Sequence, residues 1–200
     1  MKNIIPQEII NILEELQASG YDAYIVGGCV RDYLLGRKPK DWDITTSAKP
    51  EEIQEVFPGS FYENTFGTVT ILTENENSAL RAVEITPFRI EGKYSDRRHP
   101  DEIKFAKTLK EDLSRRDFTI NAMAIKQDKV ADYFGGKDDL KNKTIKTVGD
   151  PDERFREDAL RIMRATRLAT ELDFDIEKKT AEAIKNNSEL IKEISVERVR

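Results

Sequence analysis

The chain has 200 residues, of which 38% are hydrophobic and 36% are charged, and its formal net charge is −5. The mean hydropathy of −0.62 and the lack of a long apolar run predict no membrane span. No signal-peptide pattern is seen, and the single cysteine, Cys29, excludes a disulfide framework and a cysteine-rich zinc site. We therefore expect a cytoplasmic protein with no membrane partner.

The excess of acid lies in the first half of the chain. Residues 1–100 carry 11 Lys and Arg against 16 Asp and Glu, whereas residues 101–200 carry 22 of each class. An acidic chain is a weak candidate for coating nucleic acid on its own, because phosphate neutralisation supplies most of that affinity. It can still hold metal ions and phosphates at a local site.

Hydrophobic spacing predicts a first helix through Ile9, Ile10, Leu13 and Leu16 that Gly20 ends. The apolar run at 23–26 predicts a buried strand. Further helices are predicted at 30–35, 51–56 and 108–114, and further strands at 42–45, 68–72, 82–85 and 120–125.

The character of the chain changes after about residue 150. Pro151 opens a pattern that predicts one long helix reaching Leu172, and a second helix is predicted around 176–184. Mixed strands and helices come first, and helices alone come later. This order predicts an α/β catalytic domain followed by a helical segment.

A first candidate site is the pair Gly27-Gly28 at the junction of a strand and a helix. Glycine permits close approach of the backbone to a ligand, and a helix amino terminus offers N–H groups to phosphate oxygens. An ordinary turn is the alternative. The segment is neither a Walker loop nor a dinucleotide-binding fingerprint, since the required Lys-Ser/Thr and third Gly are missing.

A second candidate is the pair Asp41 and Asp43 at the predicted start of a strand. Side chains two residues apart share one face of a strand, so both carboxylates can point to one spot. Hard oxygen ligands of this kind suit Mg²⁺, particularly with substrate phosphates in the shell. Glu84, on another predicted strand, could join them across the sheet. The alternative is a solvated acidic strand end.

A third candidate is the corner that contains Arg115, Arg116, Asp117 and Asn121. Adjacent arginines with an Asp and an Asn beside an apolar strand could hold phosphates and a ribose. A surface corner held by salt bridges is the competing interpretation.

A fourth candidate is the pair Asp158 and Arg161, which three-residue spacing would place on one face of the long helix. Cytosine and adenine present an amino donor beside a ring-nitrogen acceptor, so a carboxylate and a guanidinium could select them without a template. A surface ion pair is the alternative. From Arg154 to Arg167 the segment holds five arginines and two acidic residues. Two of these arginines, Arg164 and Arg167, are further candidate nucleotide contacts.

Together these segments resemble the bacterial-type (class II) tRNA nucleotidyltransferase and poly(A) polymerase family. The similar motifs, in the family's order, are GGCVRDYLLGR, DWDITT, VEITPFR, EDLSRRDFTINAMA, DYFGGKDDL with IKTVGDP, and RFREDALRIMRATR. The resemblance implies an α/β fold: a polymerase-β-like nucleotidyltransferase head with a mixed sheet flanked by helices, at residues 1–148. An all-helical neck segment at 149–200 would follow.

The resemblance also implies roles for individual residues. Asp41 and Asp43 would hold the catalytic Mg²⁺ ions, with Glu84 as a third carboxylate. Gly27, Gly28 and Arg31 would face the triphosphate, Arg116 and Asp117 would contact phosphate and sugar, and Asp158 and Arg161 would read the base. The segment from about Arg89 to Pro100 would correspond to the family's flexible loop.

The activity implied is template-independent addition of C and A from CTP and ATP to the 3′ end of tRNA, with release of pyrophosphate by a two-metal mechanism. A poly(A) polymerase and an enzyme adding only CC or only A are alternatives within this chemistry. A nucleotide-binding fragment without transfer activity, and transfer to a small molecule, are alternatives outside it. Relatives continue past the end of this chain, so we expect their carboxy-terminal region to supply most of the RNA grip.

Overall fold

The structure is a computed structural model that describes residues 5–63, 67–92, 103–127 and 129–194. The helices are α1 (Gln7–Ala18), α2 (Gly28–Leu34), α3 (Pro50–Val56), α4 (Ser78–Arg81), α5 (Leu109–Ser114), α6 (Gly136–Lys141), α7 (Pro151–Glu157), α8 (Leu160–Leu172) and α9 (Lys178–Asn186). The strands are β1 (Ala23–Val26), β2 (Asp43–Thr46), β3 (Phe61–Glu63), β4 (Thr68–Leu72), β5 (Ala82–Pro87), β6 (Arg89–Glu91), β7 (Ile103–Phe105), β8 (Met123–Lys126), β9 (Lys129–Asp132), β10 (Thr144–Ile145) and β11 (Asp175–Ile176). Turns of 3₁₀-helix span Thr119–Asn121 and Ser188–Glu193.

The chain divides into two units. Unit 1 comprises Met1–Ile90, Phe105–Asp112 and Met123–Ala131, and unit 2 comprises Glu91–Lys104, Leu113–Ala122 and Asp132–Arg200. These units are discontinuous in sequence, whereas the predicted head and neck are continuous, so the boundary at residue 148 stays a prediction. Residues 93–100, most of the predicted flexible loop, lie outside the described part of the chain.

Unit 1 is built on a seven-stranded mixed sheet in the order β3-β4-β5-β2-β1-β8-β9. β2 runs parallel to β5, while β1 runs antiparallel to both β2 and β8, and β4 runs antiparallel to both β3 and β5. Helices α1, α2, α3 and α4 all contact strands of this sheet. The mixed sheet flanked by helices confirms the predicted fold class.

The strand register gives the sheet one apolar row and one polar row. Ile25, Ile44, Ile85 and Val69 are paired in turn across β1, β2, β5 and β4, and none is more than 1% exposed. The neighbouring register position lies on the opposite face, because side chains alternate along a strand. There the β2 residue is Asp43, so burial of the apolar row aims this carboxylate away from the core.

Unit 2 holds the helical segment that follows residue 150. Its apolar core contains Phe155, Ile162 and Ala183, which come from α7, α8 and α9, with Ile184 and Ile191 packed against them. The short parallel ladder of β10 and β11 pairs Thr144 with Asp175 and Ile145 with Ile176. In the described ranges, no helix has both the length and the apolar character to cross a membrane.

Two predicted elements are wrong. The single long helix predicted from Pro151 is two helices, because Asp158 has extended backbone angles of φ −141° and ψ 107° between α7 and α8. The strand predicted at 120–125 is a 3₁₀ turn followed by β8, and this turn closes through the Ala122 N–H donating to the Thr119 carbonyl. Strand β1, in contrast, has the predicted bounds.

Candidate functional site

Two of the acids predicted at the catalytic site, Asp43 and Glu84, are paired in the unit 1 sheet. Asp43 begins β2 and is half-buried, and its register partners are Val26 on β1 and Glu84 on β5. Glu84 is exposed and belongs to the same row, so the register places it directly beside Asp43, while its role as a third carboxylate stays a prediction. Asp41 is exposed and lies two residues before β2, in a bend rather than in the strand as predicted.

A cluster of three metal-binding side chains is not formed by these acids. Within residues that the structure describes, no group of three or more His, Cys, Asp or Glu side chains could hold one metal ion. A pair of carboxylates suits a cation that keeps water and substrate oxygens in its shell, as Mg²⁺ does.

The turn that carries Gly27 and Gly28 lies between β1 and α2 in unit 1. Gly27 has φ +89° and ψ −142°, a backbone conformation that residues other than glycine rarely adopt. Its N–H donates to the Met123 carbonyl at 3.4 Å, and its own carbonyl accepts from the Arg31 N–H at 3.3 Å. The Arg31 guanidinium is paired with Asp32 and passes close to Gly28, where an added Cβ would lie 3.7 Å from it.

We expect Gly27→Ala to lower the free energy of unfolding by roughly 1–3 kcal/mol, because the alanine must either adopt this strained conformation or distort the turn. Gly28→Ala is the matched control: its Cβ would meet only the Arg31 guanidinium at ordinary contact distance. Urea unfolding of both variants measures the difference. Equal stability of the two variants would contradict the conformational argument.

In unit 2, Asp117 is a buried carboxylate whose two oxygens both have protein partners. Its Oδ1 accepts from the Phe118 N–H at 2.8 Å and from Asn121 Nδ2 at 3.2 Å. Its Oδ2 accepts from Arg164, at 2.8 Å from Nε and 2.6 Å from Nη2. The arrangement holds the Arg164 guanidinium in one place while 42% of that side chain stays exposed.

Burial alone would raise the pKa of Asp117, but the Arg164 charge and the hydrogen bonds from Arg164, Phe118 and Asn121 together hold this pKa below its ordinary value. A carboxyl with a lowered folded-state pKa stabilises the fold above its unfolded pKa of about 3.9, and that stabilisation is lost as the pH falls through the folded value.

We expect Asp117→Asn to lower the free energy of unfolding at pH 7 by roughly 1–3 kcal/mol, the range for a lost hydrogen bond to a charged group. The difference from wild type should shrink as the pH falls from about 5 to below 3.9. Unfolding free energies of both proteins at pH 7, 5 and 3 test this. A difference that stays constant with pH would contradict the ionised pair.

The base-reading pair predicted at Asp158 and Arg161 is built differently from the prediction. Asp158 follows the last residue of α7, and its Oδ1 accepts from the Leu160 N–H at 3.0 Å at the start of α8. The two residues therefore do not share one helical face, and that part of the prediction is wrong. They are still linked locally, since the Arg161 N–H donates to the Asp158 carbonyl at 3.0 Å.

Arg161 is 7% exposed, and its guanidinium is held by three acceptors. Nη1 donates to Glu157 Oε2 at 2.6 Å and to the Arg154 carbonyl at 3.3 Å, and Nη2 donates to the Arg115 carbonyl at 3.3 Å. Sequence reasoning missed Glu157, although its spacing four residues before Arg161 is the favoured order for a helical ion pair. These bonds fix the plane of the guanidinium before any ligand arrives.

The remaining predicted contacts of unit 2 are spread along two segments. Arg116 is half-buried just before Asp117, and its N–H donates to the Leu113 carbonyl at 3.3 Å. Arg167 lies one turn after Arg164 on α8, is 62% exposed and is 4.0 Å from Glu171. The structure thus places Asn121, Asp117 and Arg164 in one bonded group, while Arg167 extends from the surface of α8.

Residues 23–146 match the family described as the poly A polymerase head domain, and residues 173–200 match the one described as the probable RNA and SrmB-binding site of polymerase A. A curated relative from Lactobacillus helveticus (strain DPC 4571), named CCA-adding enzyme, is 52% identical over 191 residues, which cover 94% of this chain and 47% of the relative. One of the same name from Enterococcus faecalis (strain ATCC 700802 / V583) is 48% identical over 195 residues, covering 96% and 47%. The chain spans about half the length of the curated relatives it matches.

Two solved structures are similar in fold. The Bacillus stearothermophilus CCA-adding enzyme in complex with CTP superposes with a TM-score of 0.86 at 42% identity, over 98% of this chain and 47% of that one. The Thermotoga maritima CCA-adding enzyme complexed with tRNA gives a TM-score of 0.78 at 29% identity, over 98% and 46%.

Proposed function

Because the chain belongs to the poly A polymerase head domain family, we propose that it is a template-independent nucleotidyltransferase. The proposed reaction adds C and A from CTP and ATP to the 3′-hydroxyl of tRNA and releases pyrophosphate. Relatives about 50% identical to nearly all of this chain carry the name CCA-adding enzyme, which favours this activity over a poly(A) polymerase. The observation that carries the proposal is the pairing of Asp43 with Glu84 in one carboxylate row of the unit 1 sheet.

Asp41 and Asp43 are proposed to hold a divalent metal ion, and this ion is proposed to be Mg²⁺. Their oxygens are hard ligands, and their exposure leaves room for water and phosphate oxygens beside them. Such an ion, when bound, lowers the pKa of a coordinated hydroxyl and neutralises the charge on the leaving pyrophosphate. Glu84, next to Asp43 in the row, is proposed to orient these ligands and the entering 3′-hydroxyl.

Gly27, Gly28 and Arg31 are proposed to bind the triphosphate. The positive φ of Gly27 forms a turn that has no side chain at that position, and the Arg31 guanidinium lies close to the half-buried Gly28. A guanidinium is a bidentate partner for phosphate oxygens. In this proposal Asp32 keeps Arg31 in place through its ion pair at 2.8 Å.

In unit 2, Arg116, Arg164 and Arg167 are proposed to contact phosphate and ribose oxygens. Asp117 and Asn121 belong to the same group but act chiefly on Arg164, because both Asp117 oxygens are engaged within the protein. Holding a long arginine side chain in one rotamer before binding removes part of the entropy that binding would otherwise lose.

Asp158 and Arg161 are proposed to read the base. A carboxylate accepts from the amino group of cytosine or adenine, and a guanidinium donates to the adjacent ring nitrogen. Uracil and guanine present the opposite polarity. The three acceptors that hold Arg161 give its guanidinium a fixed plane, as a template made of side chains requires.

The RNA partner is proposed to be tRNA, bound in part through residues 173–200, which match a family described as a probable RNA-binding site. The net charge of −5 leaves little general attraction for RNA phosphates. We therefore assign most of the tRNA grip to the regions of the longer relatives that this chain does not match, and we place the reaction in the cytoplasm.

The test is incubation with tRNA lacking its 3′ CCA end and each of the four labelled nucleotides separately, and then with CTP and ATP together. Incorporation of C alone, and of A only after C, supports the proposal. Incorporation of A alone in long runs would assign a poly(A) polymerase instead. Tight binding of CTP and ATP without incorporation would leave a nucleotide-binding module.

A further inference from the structure

The carboxylate row of the unit 1 sheet continues beyond Glu84 to the edge of the sheet. Asp43 on β2 pairs with Glu84 on β5, Glu84 pairs with Thr70 on β4, and Thr70 pairs with Phe61 on β3. Residues directly paired across strands point to the same face of a sheet. The register therefore places the Phe61 ring on the same face as the carboxylate of Asp43.

Phe61 is 57% exposed, and so is Leu72, another large apolar side chain on this face. Leu72 lies two residues after Thr70 on β4, which makes it the diagonal neighbour of Phe61 on the same face. We call Phe61 and Leu72 the edge surface. It differs from the apolar row that supports the sheet, in which Val69 and Ile85 are fully buried.

We propose that the edge surface binds single-stranded RNA immediately upstream of the 3′ end that reacts, with a base stacked on the Phe61 ring. This inference rests on the function proposed above, because the RNA is the second substrate at the same carboxylate face. An aromatic ring beside an apolar side chain is the usual platform for unpaired bases, and it is tolerant of sequence because every base has a π-face.

Distance supports RNA as the occupant. Three strand spacings of about 4.8 Å separate β3 from β2, so the backbones of Phe61 and Asp43 are about 14 Å apart. A stacked strand advances about 3.4 Å per nucleotide, so this span corresponds to roughly four nucleotides. The edge surface is thus out of reach of one nucleotide bound at the carboxylates and within reach of the strand that precedes the reacting hydroxyl.

The intervening row positions suit a polar strand lying across them. Thr70 is half-exposed, and a second ladder of threonines runs beside it, with Thr68 Oγ1 and Thr86 Oγ1 3.4 Å apart. Hydroxyl groups can donate to phosphate and ribose oxygens and accept from a 2′-hydroxyl. The row therefore offers acid, hydroxyl and aromatic groups in succession from Asp43 to Phe61.

The experiment measures binding of a fluorescein-labelled eight-nucleotide single-stranded RNA to the whole 200-residue chain by anisotropy, and binding of CTP by calorimetry. Phe61→Ala should weaken RNA binding by roughly 5- to 150-fold, the range for loss of one stacked base. Phe61→Trp should keep RNA affinity near wild type. CTP affinity should not change in either variant, because the edge surface lies beyond the reach of one nucleotide.

Tyr133→Ala is the matched control, since Tyr133 is a 50% exposed aromatic residue in unit 2. It should bind RNA as wild type does. Unchanged RNA affinity in Phe61→Ala, with CTP binding and transfer intact, overturns this inference and leaves the proposed function standing. The inference is also overturned if the wild-type chain is a dimer that Phe61→Ala dissociates without a change in RNA affinity. A wild-type chain that binds CTP but not this RNA also overturns the inference, whereas a wild-type chain that neither binds CTP nor transfers a nucleotide overturns the proposed function.

Discussion

Asp43→Asn is expected to reduce nucleotide transfer by roughly 10²–10³-fold or more, at least as much as the loss of one preorganised electrostatic contact in other enzymes. The physical reason is that Asp43 is the half-buried carboxylate of the row, placed at the start of β2 by the pairing of Ile44 with Ile85 and Ile25. An amide of the same shape keeps the strand but lacks the charge that a divalent cation needs.

Stability should change little in Asp43→Asn, because substitutions of partly exposed side chains outside the core typically alter the free energy of unfolding by about 0.5 kcal/mol or less. Asp22→Asn is the matched control: Asp22 is also in unit 1, is 56% exposed and pairs with Lys126 at 2.8 Å. It should transfer nucleotides at the wild-type rate. Near-normal Mg²⁺-dependent transfer by Asp43→Asn would remove Asp43 from the metal site.

Asp158→Asn is expected to erode the preference for CTP over UTP by roughly 1–3 kcal/mol, or about 5- to 150-fold, the range for one good base contact. The amide can donate where the carboxylate only accepts, so the amino group of cytosine loses its favoured partner and the uracil carbonyl gains one. The amide oxygen of asparagine accepts from a backbone N–H as the carboxylate does, so the bond to the Leu160 N–H should survive.

The ratio of CTP to UTP incorporation, or of their affinities, measures this effect. Asp173→Asn is the control, since Asp173 is exposed in unit 2 and its φ of +58° is one that asparagine tolerates. Arg161→Ala is a less clean test, because it removes the donor to Glu157 Oε2 and to two backbone carbonyls and should destabilise the fold by roughly 1–3 kcal/mol. An unchanged CTP to UTP ratio in Asp158→Asn, with a normal melting temperature, would leave Asp158 only its local structural bond to the Leu160 N–H.

Local patterns were sufficient to predict four strands of the sheet, β1, β2, β4 and β5, whereas β3 and β9 were not predicted. The apolar run of β1, bounded by Asp22 and Gly27, has the predicted limits, and Pro50 begins α3 as its fixed φ favours. The register between β2 and β5 could not be predicted, because the two strands are about 40 residues apart and their pairing depends on tertiary packing. The direct pairing of Asp43 with Glu84 therefore follows from the fold and not from the sequence.

The break between α7 and α8 explains why the sequence wrongly predicted a shared helical face for Asp158 and Arg161. Neither Gly nor Pro interrupts the segment, so helical periodicity runs through Asp158 without a stop. The Asp158 carboxylate nevertheless accepts from the Leu160 N–H two residues later, a local side-chain bond of the kind that competes with a continuous helix. The ion pair of Asp117 with Arg164 had no such local signal, since 47 residues separate them.

The proposed function requires that side chains of this chain, without a nucleic-acid template, select cytosine and adenine. Calorimetric titration of the 200-residue chain with CTP, ATP, UTP and GTP separately, in Mg²⁺ and without RNA, measures this selection. We expect CTP and ATP to bind at least about tenfold more tightly than UTP and GTP. Four equal affinities, or no binding of CTP and ATP, would show that these side chains do not read the base.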